Sequence, residues 1–126
     1  MPTNAKFGVL IKTNQYAGNF ERELCAHVTG CIGECGVGHE YVDEKIKKIF
    51  SNIIGNEADD AGCYRPVNGE LGVNSNDVLI YFDSKPTLKQ IELIKERSKT
   101  FVREDGFKIK GFELIAYKNS QSKIKI

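Results

Sequence analysis

Asp77-Val78-Leu79-Ile80-Tyr81-Phe82-Asp83 is the stretch on which the fold turns. It is apolar through its middle and bounded by turn formers, Asn74 to Asn76 before it and Ser84-Lys85-Pro86 after it. A short run without polar alternation predicts a strand buried on both faces, at the centre of a covered sheet. Its last aromatic, Phe82, stands at the strand exit with Asp83 beside it. A ring there either belongs to the core or leaves it to stack on a nucleobase. Because Phe82 lies at an element end, its removal is expected to leave the fold intact.

Towards the C-terminus, Thr87 and Gln90 have the spacing of a capping box and predict a helix from Thr87 to Arg103. Ile91, Ile94, Ser98, Phe101 and Val102 form its inner face, Arg97 flanks that face, Arg103 falls in the last turn, and Gly106 stops it. Phe107 to Tyr117 alternates and then becomes continuously apolar, which predicts a long strand with a bulge at Gly111. Lys118 to Ile126 is expected to be a tail, either disordered or paired with another subunit.

Towards the N-terminus, Asn56 to Asn76 is punctuated by Gly, Asn and Pro, and Asn68-Gly69 offers a hairpin turn between Tyr64-Arg65-Pro66-Val67 and Glu70-Leu71-Gly72-Val73. Arg65 is the ligand candidate there, with a salt bridge to Asp59, Asp60 or Glu70 as the alternative. Val42, Ile46, Ile49, Phe50 and Ile53 predict a second helix over Tyr41–Ile54 that ends at Gly55. Lys6 to Thr13 has the β-branched and aromatic content of a strand. Asn19 is a candidate N-cap, and Phe20, Leu24 and Val28 form the apolar stripe of a first helix. Arg22 falls off that stripe beside open backbone amides, where it either binds an anion or pairs with neighbouring acids.

These elements predict an α+β class: a small, mostly antiparallel sheet of three to five strands with three helices packed against it. One domain over residues 1–118 and a tail over 119–126 account for a chain of 126 residues and 14.1 kDa. A 40% hydrophobic and 28% charged composition suits a soluble globular protein. No apolar run is long enough to span a membrane, and Met1 to Asn4 lacks signal-peptide character, so a cytosolic protein is expected. The formal charge of +1 offers no field for a nucleic acid polymer. Only Arg22, Arg65, Arg97 and Arg103 among the 18 basic residues are arginines, and their planar forks suit phosphate.

Cys25, Cys31, Cys35 and Cys63 are read as reduced thiols in a cytosolic chain. Cys31 and Cys35, with His27, His39, Cys25 and Cys63 in reserve, leave zinc open, although the second closely spaced pair of a structural site is missing. No metal or other cofactor is assigned. Cys25 with His27 is the best nucleophile and base on offer, but residues two apart on a helix face different ways, so no catalytic residue is assigned. The parts for binding a small nucleotide are more complete: Tyr16, Asn19, Phe20, Arg22, Arg65, Phe82, Asp83, Arg97 and Arg103 are the candidate ligand residues.

The run Asn19-Phe20-Glu21-Arg22-Glu23-Leu24-Cys25, followed by Thr29-Gly30-Cys31-Ile32-Gly33-Glu34-Cys35-Gly36-Val37-Gly38, resembles the N-terminal signature of the phage-encoded Thoeris anti-defence sponge family. The resemblance is strong over residues 14–38 and rests on order and size over Tyr64 to Asp105. It implies a protein without enzymatic activity that sequesters a cyclic ADP-ribose-type signal in the host bacterial cytoplasm, so that the effector of a TIR-based immune system stays off. It also implies a homo-oligomer with ligand pockets between protomers. A small Cys/His enzyme acting on a nucleotide and a protein-binding inhibitor module are the alternatives.

Overall fold

A computed structural model describes residues 6–30, 44–56, 75–103, 106–117 and 122–126. Its strands are β1 (Phe7–Thr13), β2 (Ile53–Asn56), β3 (Asp77–Phe82), β4 (Ile109–Ala116) and β5 (Ser122–Lys125), and its helices are α1 (Glu21–Thr29), α2 (Glu44–Ile49) and α3 (Leu88–Lys99). The strands form one sheet in the order β2-β3-β1-β4-β5, with every neighbouring pair antiparallel. The class is α+β. The Asn68-Gly69 hairpin, Arg65 and the Cys31 to Gly38 segment lie outside the described residues.

β3 is buried along its whole length, as an apolar run without alternation requires, and β1 lies beside it. One face of the sheet contributes Val9, Ile11, Val78, Ile80, Phe82, Phe112 and Leu114 to a core completed by Leu24, Cys25 and Val28 of α1 and Ile94 of α3. The other face carries a smaller cluster of Leu10, Leu79, Tyr81 and Ile115, with Tyr117 packed against it. Full burial of such a side chain contributes about 1.5–3 kcal/mol.

Among the described residues, two helices of more than two turns, α1 and α3, pack on this framework rather than three. Of the segment expected to be helical over Tyr41–Ile54, the described residues form a helix over Glu44–Ile49, after which the chain turns at Phe50 and becomes β2. Phe50 and Ile53 reach the core at the expected spacing. Ile53, however, does so from a strand, paired with Phe82. Helical spacing therefore located the buried side chains but not the backbone between them.

α3 has the expected capping box: Gln90 N donates to Thr87 Oγ1 at 3.1 Å and Thr87 N donates to Gln90 Oε1 at 2.9 Å. The same Gln90 donates through Nε2 to Ile49 O and Asn52 Oδ1, both at 2.7 Å, which ties the end of α2 to the start of α3. α3 stops sooner than expected. The Thr100 N–H turns back to Arg97 O and Phe101 N–H to Ser98 O, and the chain leaves the helix there. Phe101 folds onto the core while Val102, assigned to the inner face, is 82% exposed.

In β4 the register against β1 slips between Lys12 and Thr13. Lys12 pairs with Gly111 and Thr13 with Ile109, so Lys110 is the extra residue of a bulge one position before the expected glycine. Part of the expected tail is structured as well: Ser122–Lys125 adds to β4 of the same chain as an edge strand. Among the described residues, no helix is long and apolar enough to cross a membrane.

Candidate functional site

α1 organises the surface on which several candidate residues meet. The chain leaves β1, makes a single 3-10 turn over Ala17–Asn19 and enters α1 through Phe20. Ala17 N–H donates to Ser75 O at 2.8 Å, anchoring this turn to the lead-in of β3. Asn19 is not the N-cap. It sits inside the 3-10 turn, whereas a capping residue needs an extended backbone; Phe20, with φ −148° and ψ 0°, holds that position and supplies no side-chain cap. The stripe Phe20, Leu24 and Val28 is buried to within 1% of complete, which fixes how α1 sits on the sheet.

The burial of that stripe leaves Tyr16, Asn19, Arg22 and Glu23 facing solvent. Tyr16 is 59% exposed. Its ring lies over Gly18, where a Cβ would come within 2.4 Å of a Tyr16 ring carbon, so glycine permits this placement. Arg22 stands in the first helical turn, next to backbone amides that the N-cap residue Phe20 does not cap with its side chain. A ring, an amide and a guanidinium therefore emerge together between Tyr16 and Arg22.

Phe20 takes a different role from the one expected of it. At 1% exposure it cannot stack on a ligand; it packs against Phe107 at 4.9 Å, edge to face, and against Phe101 at 6.3 Å. The Arg103 guanidinium lies 5.3 Å from its ring centroid and reaches Glu23 at 3.5 Å. Arg103 thus sits close to the α1 entrance, held from below by an aromatic face and from the side by a carboxylate that is itself 67% exposed.

Arg97 is at the other end of α1. Its Nε donates to His27 O at 2.8 Å, satisfying a carbonyl of the last turn and placing a cation at the negative end of the helix dipole. Gly30, with φ 75°, closes the same turn in the left-handed conformation. His27 Nε2 lies 2.6 Å from Thr100 Oγ1, whose hydroxyl donates to Arg97 O, so the imidazole presents an Nε2–H to the threonine. Burial, and next the Arg97 charge, hold the His27 pKa below its ordinary 6.5, against a smaller opposing contribution from its hydrogen bond to the Arg97 backbone. Arg22 and His27 are five residues apart, about 7–8 Å along the axis, so Arg97 clamps the far end of α1 and does not join Arg22.

Phe82 and Asp83 fall elsewhere. Phe82 is fully buried, pairs with Phe7 and Ile53 across the sheet and has its ring 6.5 Å from that of Phe50. A strand exit inside the sheet is still interior when strands lie on both sides, and the ring stays in the core. Asp83 is exposed beside it, and its N–H donates to Asn52 O. The Tyr16 turn adjoins the start of β3 while Phe82 ends it, a separation of about 17 Å along the strand. The structure therefore joins Tyr16, Asn19, Arg22 and Arg103 around the α1 entrance, and leaves Arg97, Phe82 and Asp83 outside that group. Arg65 lies outside the described residues.

Glu23 was not among the expected ligand residues, and only its spacing four residues before His27 on the exposed side of α1 could have signalled its position. Sequence reasoning also passed over Lys12, Lys110 and Lys125, which line a cleft at the C-terminal end of β1. Among the described residues no group of three or more His, Cys, Asp or Glu side chains could hold a metal ion. No protein-family model, curated protein or solved structure matches the chain.

Proposed function

We propose that this chain is a non-catalytic binder of a cyclic ADP-ribose-type nucleotide, a phage anti-defence sponge that works in the host bacterial cytoplasm by withholding the signal from a TIR-based immune effector. The observation that carries the proposal is the exposed group Tyr16, Asn19 and Arg22 at the entrance of α1, where the N-cap residue supplies no side-chain cap. A cyclic dinucleotide-like ligand presents a purine face, ribose hydroxyls and a pyrophosphate. The Tyr16 ring, the Asn19 amide, and the Arg22 guanidinium with the first-turn amides match these in kind. Arg103 supplies a second guanidinium close by.

The setting of Cys25 and His27 favours binding over turnover. The Cys25 side chain is in the core at 1% exposure, and the His27 ring is engaged with Thr100. The rim is open to solvent, so enclosing a nucleotide requires a second surface, which supports a homo-oligomer whose pockets form between copies of the chain.

The test incubates the protein with a cyclic ADP-ribose isomer, desalts it, heats it and analyses the released nucleotide. Intact cyclic ligand in stoichiometric yield is the expected result. A linear product means catalysis, and no retained nucleotide favours a protein-binding inhibitor; either refutes the sponge. Tyr16→Ala and Arg22→Ala should each weaken binding about tenfold or more with unchanged melting temperature, since a stacked ring and a charge-assisted hydrogen bond are each worth about 1–3 kcal/mol. Normal affinity in both variants would remove the site.

A further inference from the structure

β1, β4 and β5 come together at one end of the sheet, and each contributes an ammonium group there. Lys12, Lys110 and Lys125 line a cleft of about 360 Å³ together with Thr13, Asn76, Asp77, Gly111, Phe112 and Glu113. Two features of the backbone build it. The bulge opposite Lys12 and Thr13 takes Lys110 out of the strand alternation, which would otherwise separate it from Lys12. The antiparallel pairing of β5 sets Lys125 across from Glu113. A Cβ placed on Gly111 would meet nothing within 4 Å, so the cleft is open at that point.

The charges in this region do not cancel. Glu113 bonds to Lys123 at 2.9 Å and lies 3.6 Å from Lys12, occupying its carboxylate with the two lysines that flank it. Burial alone would raise the Glu113 pKa, yet the hydrogen bond from Lys123 and the charges of Lys12 and Lys123 bring it below its ordinary value, as expected in a positive local field. Asp77, 2% exposed and opposite Lys12, is the other carboxylate lining the cleft. Among the described residues Lys110 and Lys125 have no ion-pair partner. Three ammonium groups thus line the cleft with two carboxylates, one of which, Glu113, is also paired with Lys123 beside the cleft.

We propose that this cleft is a binding site for a small doubly charged oxyanion of the phosphate-monoester type, held by Lys110 and Lys125 against the Lys12–Glu113–Lys123 array. The two ammonium groups without an ion-pair partner among the described residues, Lys110 and Lys125, match the two charges of a dianion. The volume, near the lower end of the roughly 300–1,000 Å³ typical of small-ligand sites, admits one phosphate group with a small substituent. The site is distinct from the α1 entrance and stands or falls independently of the sponge proposal.

The experiment titrates the full-length protein, isotopically labelled, with inorganic phosphate, phenyl phosphate and dimethyl phosphate at pH 8 and low salt, where the first two carry about two charges and the last one. Phosphate and phenyl phosphate should bind saturably, with backbone shifts centred on Lys12, Gly111 and Glu113, and should weaken steeply as salt is added. Lys110→Gln with Lys125→Gln should lower affinity about tenfold or more at an unchanged melting temperature, both side chains being exposed. Arg22→Ala should leave this binding unaltered while affecting the nucleotide. No saturation, equal binding of dimethyl phosphate, or full affinity in the lysine double variant would each overturn the proposal.

Discussion

Replacing Phe82 with alanine separates a core role from a ligand role. The ring is fully buried on the helix-facing side of the sheet, clustered with Val9, Ile11, Phe50, Ile53 and Ile80. Its strand is hydrogen-bonded on both sides, to β1 through Phe7 and to β2 through Ile53, so the backbone cannot collapse into the vacated space. Under those conditions a Phe→Ala change costs about 3–5 kcal/mol, transfer and cavity terms together. Set against a total stability of roughly 5–15 kcal/mol, that is a large fraction. A chain of 126 residues lies between the size classes for which 1 kcal/mol moves the melting temperature by about 2–4 °C and 4–8 °C. The expected drop is therefore roughly 10–20 °C.

Thermal melts followed by far-UV circular dichroism, with urea midpoints at 25 °C, measure this directly. Phe82→Leu, which keeps most of the apolar volume, should recover more than half of the loss. Nucleotide affinity measured well below the lowered melting temperature should be nearly that of the parent chain, because the ring does not face the α1 entrance. A Phe82→Ala protein that melts within about 3 °C of the parent and binds poorly would refute this reasoning and return Phe82 to the ligand site.

Four further outcomes are expected. Gly18→Ala should push the Tyr16 ring aside, since the added methyl meets only the far end of that side chain; affinity for the nucleotide should fall while the melting temperature moves by less than about 2 °C, as titration calorimetry and melts would show. Arg97→Ala should cost about 1–2 kcal/mol in urea unfolding through loss of its bond to His27 O, with little effect on affinity. The His27 pKa is depressed in the folded state, so the unfolded chain binds the proton first: its contribution to stability is complete above pH 6.5 and is lost as pH falls below that value, a dependence that urea midpoints between pH 5 and 8 should show and His27→Gln should flatten. Glu23→Gln should tighten nucleotide binding severalfold by removing a carboxylate that competes for Arg103, and an unchanged or weaker affinity would exclude the Glu23–Arg103 pair from the site.

The elements most legible in the sequence were those whose signal is local and chemical. The Thr87/Gln90 capping box needs only two side chains three residues apart, and it forms as read. β3 needed only its uninterrupted apolar run. The segment around Phe50 and Ile53 failed because a helix and a helix-turn-strand can put the same residues into the same core, and β2 exists only because β3 offers an edge to pair with. Val102 failed for a related reason: the inner stripe of α3 continues past Thr100 only if the helix does, and there the last turn tightens and the chain leaves the helix, keeping Phe101 on the core and turning Val102 outward. Of the candidate residues, the exposure of Arg22 was legible because it lies off an apolar stripe whose own burial sets it. Phe82 was not, since the sequence does not state that strands flank β3 on both sides. The lysine cleft was hidden as well. It assembles residues from three strands and depends on a one-residue bulge, whereas each lysine alone reads as ordinary solvated charge.

Arg103 shows how such a surface can hold an anion without being destabilised before the anion arrives. A guanidinium left unpaired over a buried ring would pay for its partial removal from water; here the Phe20 face and the Glu23 carboxylate offset that cost. The two partners differ in permanence. Phe20 is locked by Phe101 and Phe107 and cannot move without disturbing the core. Glu23 is mostly solvated, and an ion pair of that kind is worth about 0–1 kcal/mol. A phosphate oxygen competing for Arg103 therefore displaces the Glu23 carboxylate at little cost, while the Phe20 face stays in place through the exchange. Glu23 would then serve as a removable counter-ion that favours ligands able to outcompete a carboxylate, which a pyrophosphate does and a neutral nucleoside does not.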